Sequence, residues 1–363
     1  MQWVMFLLVL TGQCFFSVCH LHEYHFININ LTWERAQTYC RANYTDLASV
    51  FDKTDVQRMR EKAEGLETDA WIGLCNYTER DNRTWHWSLP GIEYNQRESN
   101  INLYEPNNET ENCVKMGNDL QDVNCNNTYK FVCYDEKTPG KKFHLIQDKM
   151  NWSQAQNYCR HNHTDLISGA QQLAEFEKER GSEYDLWIGL FRDTWRWSDR
   201  SNFSFRHWDK EPWSQDKQIG EKCATTLLKG GKWSFDNCNE QKPFFCYKSK
   251  LVLVQELKTW EQALYHCRDR HHDLVTISNP HQQGWVQETA KNATSELVWL
   301  GLRYTCALDL WFWISDQLVC YSKWAKEEQG QACDMAVAMK KKEQHEWVRK
   351  ADTNKFSFIC VER

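Results

Sequence analysis

The sequence predicts an α+β fold in which one unit occurs three times, each copy holding two helices, short antiparallel sheets and a long loop region, stapled by disulfides. Three observations carry this: internal repetition, the cysteine count and the apolar periodicity inside each copy. Trp33-Glu34-Arg35-Ala36-Gln37-Thr38-Tyr39-Cys40-Arg41 returns as Trp152-Ser153-Gln154-Ala155-Gln156-Asn157-Tyr158-Cys159-Arg160, and again as Trp260-Glu261-Gln262-Ala263-Leu264-Tyr265-His266-Cys267-Arg268. The cysteine recurs after 119 and then 108 residues, a period of whole domains rather than of a solenoid. Of 16 cysteines, Cys14 and Cys19 lie in an apolar leader, and none of the others forms a Cys-x-x-Cys pair, which argues against a zinc ribbon or a thioredoxin-type motif.

Each element follows in order. Residues 1–19 read as a secretory signal peptide: Met1–Leu10 is almost wholly apolar and Ser17-Val18-Cys19 offers a small-residue cleavage site. In the first helix of each copy Trp, Ala and Cys sit at i, i+3 and i+7, one buried helical face. Thr259 with Gln262 reads as a capping box. Second helices are expected at about 52–64, 169–180 and 280–291, with Pro280 in a first turn, where its missing N–H costs nothing. Trp71-Ile72-Gly73-Leu74, Trp187-Ile188-Gly189-Leu190 and Trp299-Leu300-Gly301-Leu302 read as buried strands, and Cys133, Cys246 and Cys360 close the copies on aromatic-rich strands. The boundaries follow: units at 20–136, 142–247 and 248–363, with a linker at 137–141 between the first two.

Composition narrows the function. The net charge of −6 argues against a phosphate-binding surface, hence against nucleic acid. No run after the leader reaches the roughly 18–20 apolar residues of a membrane helix, so no span is expected there. Ten Asn-x-Ser/Thr sequons, at Asn30, Asn43, Asn76, Asn82, Asn108, Asn126, Asn151, Asn162, Asn202 and Asn292, point with the leader to a secreted, extracellular glycoprotein. No Gly-x-Ser-x-Gly, P-loop or dinucleotide fingerprint occurs, and the expectation is that the chain is not an enzyme. His161, His163, His271 and His272 follow the first helices without a third ligand in view and read as surface residues. Trp85-His86-Trp87, Trp195-Arg196-Trp197 and Trp311-Phe312-Trp313 recur at one place in each copy and read as core.

Together the Trp-x-x-Ala-x-x-Tyr/His-Cys helix, the Trp-Ile/Leu-Gly-Leu strand and the paired outer and inner cysteines resemble the C-type lectin-like domain, over essentially the whole chain after the leader. The resemblance implies outer disulfides Cys40–Cys133, Cys159–Cys246 and Cys267–Cys360, and inner ones Cys113–Cys125 and Cys223–Cys238. In the third unit Asp352 stands where the second inner Cys would fall, so Cys306 and Cys320 are expected to pair with each other. Cys75 and Cys333 are left over, for burial or for a disulfide-linked oligomer.

The long loop of the first unit holds Glu105-Pro106-Asn107, Glu111 and Gln121-Asp122, a cluster of oxygen donors of the kind Ca²⁺ takes in sets of 6–8. The resemblance places Glu105, Asn107, Glu111 and Asp122 at the family's primary calcium positions, implies a cis Pro106 and associates Glu-Pro-Asn with mannose-type sugars. Leu120-Gln121 departs from the family's Trp-Asn pair, and Gln121 adds a methylene to the ligand. The second unit has Glu211-Pro212-Trp213 and Phe235 at the expected Asp position, with Glu221 retained; the third has Trp324-Ala325-Lys326-Glu327-Glu328 and no Glu-Pro-Asn. The expectation is calcium-dependent recognition of glycans or glycoproteins through the first unit alone. The alternative is a calcium-independent protein-binding or adhesion module.

Overall fold

The computed structural model describes residues 20–63, 68–76, 83–95, 111–136, 140–210, 222–226, 230–315, 317, 319–325 and 333–362. The chain falls into two compact units: Tyr24–Tyr247, which holds the first two repeats, and Lys248–Arg363 together with the residues ahead of Tyr24. The first repeat supplies β1 (His22–Leu31), α1 (Trp33–Asn43), β2 (Asp46–Leu47), α2 (Lys53–Lys62), β3 (Ala70–Asn76), β4 (Thr84–Trp87), β5 (Cys113–Met116), β6 (Leu120–Val123) and β7 (Tyr129–Tyr134). The second supplies β8 (Phe143–Met150), α3 (Trp152–Asn162), β9 (Asp165–Leu166), α4 (Ala170–Glu177), β10 (Leu186–Asp193), β11 (Trp195–Trp197), β12 (Lys222–Thr226), β13 (Trp233–Asn237) and β14 (Lys242–Ser249). The third supplies β15 (Leu251–Lys258), α5 (Trp260–Arg270), β16 (Asp273–Leu274), α6 (Pro280–Ala290), β17 (Leu297–Thr305), β18 (Leu310–Trp313), β19 (Met335–Lys340), β20 (Trp347–Ala351) and β21 (Phe356–Val361).

The repeated motifs explain themselves as packing. The first helix of each repeat buries its Trp, Ala and Cys. Capping boxes start α3 (Asn151, Gln154) and α5 (Thr259, Gln262), while Asp52 and Asn279 cap the second helices of the first and third repeats with side-chain oxygens. Each helix Trp donates from Nε1 to the strand residue next after its facing Trp: Trp33 to Ile72 O, Trp152 to Ile188 O and Trp260 to Leu300 O, all at 2.8 Å. The arrangement is reciprocal: the strand Trps donate back to the Leu31, Met150 and Lys258 carbonyls at 3.0, 2.9 and 3.0 Å. The motif glycines permit close approach: a Cβ on Gly189 would lie 2.9 Å from Ile167 O, and one on Gly73 3.0 Å from Leu47 O.

The third repeat closes on itself, with sheet order β15-β21-β17-β19-β20, β16 on β21 and β18 on β17. The first two repeats exchange halves. One sheet runs β1-β14-β3-β12-β13, with β11 on β3 and β2 on β14; the other runs β6-β5-β10-β7-β8, with β4 on β10 and β9 on β7. Each module therefore joins the amino-terminal half of one repeat to the carboxy-terminal half of the other. Side chains follow the same rule: Ser198 Oγ donates to Asp46, and Ser88 Oγ donates to Asp165. The backbone N–H of Trp33 donates to Cys238 O and that of Trp152 to Cys125 O, both at 3.0 Å.

The connections supply the reason. In the third repeat β17 ends at Thr305 and β18 begins at Leu310, and the pair forms a hairpin with Thr305 opposite Leu310. In the second repeat only Thr194 separates β10 from β11. The shortest common hairpin loop has two residues, so the chain cannot fold back and runs on into the neighbouring sheet.

The exchange corrects the outer disulfides. In place of Cys40–Cys133 and Cys159–Cys246, the bonds are Cys40–Cys246 and Cys133–Cys159. Both repeats offer equivalent cysteines, so spacing does not distinguish the two connectivities. The other bonds are Cys113–Cys125, Cys223–Cys238 and Cys267–Cys360. Cys306 pairs with Cys333 rather than with Cys320. The register explains it: Arg303 is opposite Ala336 in β17–β19, and three residues further along the same antiparallel line Cys306 faces Cys333. Cys320 is itself disulfide-bonded. Cys75 is buried in β3, its Sγ 3.6 Å from Cys223 Sγ.

Candidate functional site in the first repeat's loop

Glu105, Pro106, Asn107 and the sequon Asn108 lie outside the described residues, as do Glu211, Pro212, Trp213, Glu221, Lys326, Glu327 and Glu328. Glu111, Gln121 and Asp122 are described. Glu111 precedes β5, and Gln121 and Asp122 lie on β6, opposite Lys115 and Val114. The Cys113–Cys125 bond ties the two strands together. Gln121 is exposed. Asp122 Oδ2 is buried and accepts no hydrogen bond from the described residues.

Beside Asp122 stands a residue that the sequence reading missed. Arg192, at the end of β10 from the second repeat, is 3% exposed. Its Nη2 donates to Glu111 O at 2.6 Å, its Nε to Asn112 Oδ1 at 3.3 Å, and its backbone N–H to Asn112 O at 2.9 Å. Nη2 lies 3.7 Å from Asp122 Oδ2, and the guanidinium sits over the Trp85 ring, 5.0 Å from its centroid. Arg83 donates to the same Asn112 Oδ1 at 3.0 Å. Burial, and then Arg83, bring the Arg192 pKa down to about 10, while Asp122 and Glu111 oppose that fall. Arg192 thus joins Glu111 and Asp122 around one fixed positive charge. Aligning the copies on their strand Trp would have exposed it, since Asn76 and Tyr304 hold the same place in the other two repeats.

The other loops differ at the position of Asp122. Phe235 packs against the Trp195 and Trp208 rings, with centroids 5.8 and 6.2 Å away. In the third repeat Asp352 O accepts from Trp260 N–H at 2.9 Å, as Cys125 O and Cys238 O do from their Trps, so Asp352 holds the inner-cysteine position. Arg303 pairs with it at 2.8 Å. Counting back three residues puts Arg349 at the place of Asp122, its guanidinium over Trp311 and Trp324. A cation and an aromatic ring thus replace the carboxylate.

Disulfide-stapled α+β modules carrying a long polar loop define a class of recognition protein, the C-type lectin fold. The family model described as "Lectin C-type domain" matches residues 29–135, 148–248 and 256–362, and the chain belongs to that family. It is similar to the C-type mannose receptor 2 of Homo sapiens, 24% identical over 85% of this chain and 25% of that protein. It is also similar to the secretory phospholipase A2 receptor of Mus musculus, 22% identical over 86% of this chain and 25% of that protein. The chain thus spans about a quarter of the length of these relatives. Among solved structures, human lithostathine is 21% identical, over 31% of this chain and 90% of that one, with a TM-score of 0.29. Among the described residues no helix is long and apolar enough to cross a membrane.

Proposed function

We propose that this chain is an extracellular recognition protein, not an enzyme, that binds glycans or glycoproteins through the first repeat's loop, with calcium held by Glu105, Asn107, Glu111, Gln121 and Asp122. The observation that carries the reading is the buried Asp122 Oδ2, which accepts no hydrogen bond from the described residues beside Glu111. A buried carboxylate oxygen in that condition is costly unless a cation meets it. Bound there, calcium would supply coordination sites for vicinal sugar hydroxyls. Affinity for Ca²⁺ follows ligand charge, and Arg192 offsets part of the acidic cluster, which places the expected affinity at the weak, roughly 10⁻⁴–10⁻³ M, end found in extracellular modules. The test is a glycan array with and without EDTA, using the full chain and Asp122→Asn. Mannose-type binding that disappears with either supports the reading; binding indifferent to both overturns it.

A second reading rests on Arg192. Its guanidinium already supplies a cation to Glu111 O and Asp122, which favours a calcium-independent protein-binding or adhesion surface. In that case ligand capture survives EDTA and is lost with Arg192→Met.

A further inference from the structure

Asp135, His144 and His163 take no part in the loop just described, and the expectation that His163 is a surface residue does not hold. Asp135 follows β7 of the first repeat; His144 lies on β8 and His163 caps α3, both in the second. The backbone around the Cys133–Cys159 bond fixes all three. His144 is opposite Cys133 in the β7–β8 ladder, and the His163 N–H donates to Cys159 O at 2.8 Å. The Asp135 N–H donates to Lys142 O at 2.8 Å.

Their side chains converge. His163 Nδ1 is 3.3 Å and His144 Nε2 3.9 Å from Asp135 Oδ2, and one ligand atom from each residue lies within 4.8 Å of the others. Zinc bound tetrahedrally at 2.0–2.1 Å sets its ligands roughly 3.3 Å apart, so small side-chain rotations close the set. Asp135 is 6% exposed, and His144 Nε2 is buried without a hydrogen bond among the described residues. The two imidazoles stack with centroids 4.2 Å apart.

We propose that Asp135, His144 and His163 form a three-ligand site for a divalent transition-metal ion of the zinc class, its fourth position left for water. Two nitrogen donors and one carboxylate select zinc-like ions over calcium or magnesium, which take oxygen. The site depends on the exchange. Matching the repeats on their helix Trp and closing Cys, the corresponding residues of the other module are His25, Tyr44 and Lys248. Were each repeat closed on itself, Lys248 would replace Asp135 beside the two histidines, and the carboxylate would go to His25 and Tyr44. Metal binding and the exchanged connectivity therefore stand together.

The test uses the full chain with disulfides intact, stripped by chelator and titrated with Zn²⁺ by calorimetry and with Co²⁺ by visible absorption. One equivalent should bind, and Asp135→Asn or His163→Gln should weaken it by more than tenfold, since loss of an outer-sphere partner alone costs 10–100-fold. His25→Gln should leave it unchanged. Equal binding by wild type and both ligand variants overturns the site. A readout on wild type alone covers the case of a variant that does not fold: zinc should protect His144 and His163 from diethylpyrocarbonate, and modification at an unchanged rate overturns the proposal.

Discussion

Arg192 and Asp122 lie 3.7 Å apart in a buried setting, and removing one of such a pair exposes the other's cost. Arg192→Met should lower the melting temperature in calcium-free buffer, by an amount equivalent to about 3 kcal/mol. Millimolar calcium should recover more of that loss in the variant than it adds to wild type, because Asp122 then lacks its resident cation. Thermal melts of both proteins with and without calcium check this. His86 acts through pH. Its Nε2 is buried 3.7 Å from Asp193, and burial holds its pKa down at about 4. In the unfolded chain it titrates near 6.5. Between those values the unfolded state binds a proton that the folded state does not, so stability is full above about pH 6.5 and falls as pH drops toward 4. The expected loss is roughly 1–3 kcal/mol, and His86→Phe should flatten that part of a urea-midpoint profile.

Among the elements, the one-residue connection at Thr194 decides the topology. Inserting three residues after Asp193, which with Thr194 matches the four between β17 and β18, should let β10 and β11 form a hairpin and each repeat close on itself. Peptide mapping should then find Cys40–Cys133 and Cys159–Cys246; the exchanged bonds in that variant would show that the connection is not the cause. This is also where sequence reading stops short. The helices and motif strands were legible because Trp, Ala and Cys recur at helical spacing and each Trp-Ile/Leu-Gly-Leu run is short and apolar. The partner of each half was not, because equivalent halves carry the same cysteines and the same packing face. The signal was nonetheless present, since Trp187 and Trp195 stand closer together than Trp71 and Trp85 or Trp299 and Trp311. Arg192 escaped for a related reason: its partners Glu111, Asn112 and Asp122 come from the other repeat. The loop residues Glu105 and Asn107 were read from motif alone.

For the molecule as a whole, exchange joins the first two repeats covalently as well as by packing. A protease site placed within 137–139 should, after cleavage, leave residues 24–247 together on a non-reducing gel and split them only on reduction. Separation without reductant would mean self-closed repeats. Forces along the chain meet the same bonds. β1 and β14 are neighbours in one sheet, and Cys40–Cys246 bridges 206 residues close to the two ends of the unit. Tension applied through those ends passes from β1 across that single sulfur bridge to β14, and the enclosed chain, with the first repeat's long loop on it, bears none of it. Stretching the unit between its termini should therefore yield little extension until a reductant cuts the bridge, which then frees roughly 70 nm at about 3.4 Å per residue. The first two repeats would behave under load as an inextensible link, holding the enclosed fold in shape while the molecule is pulled.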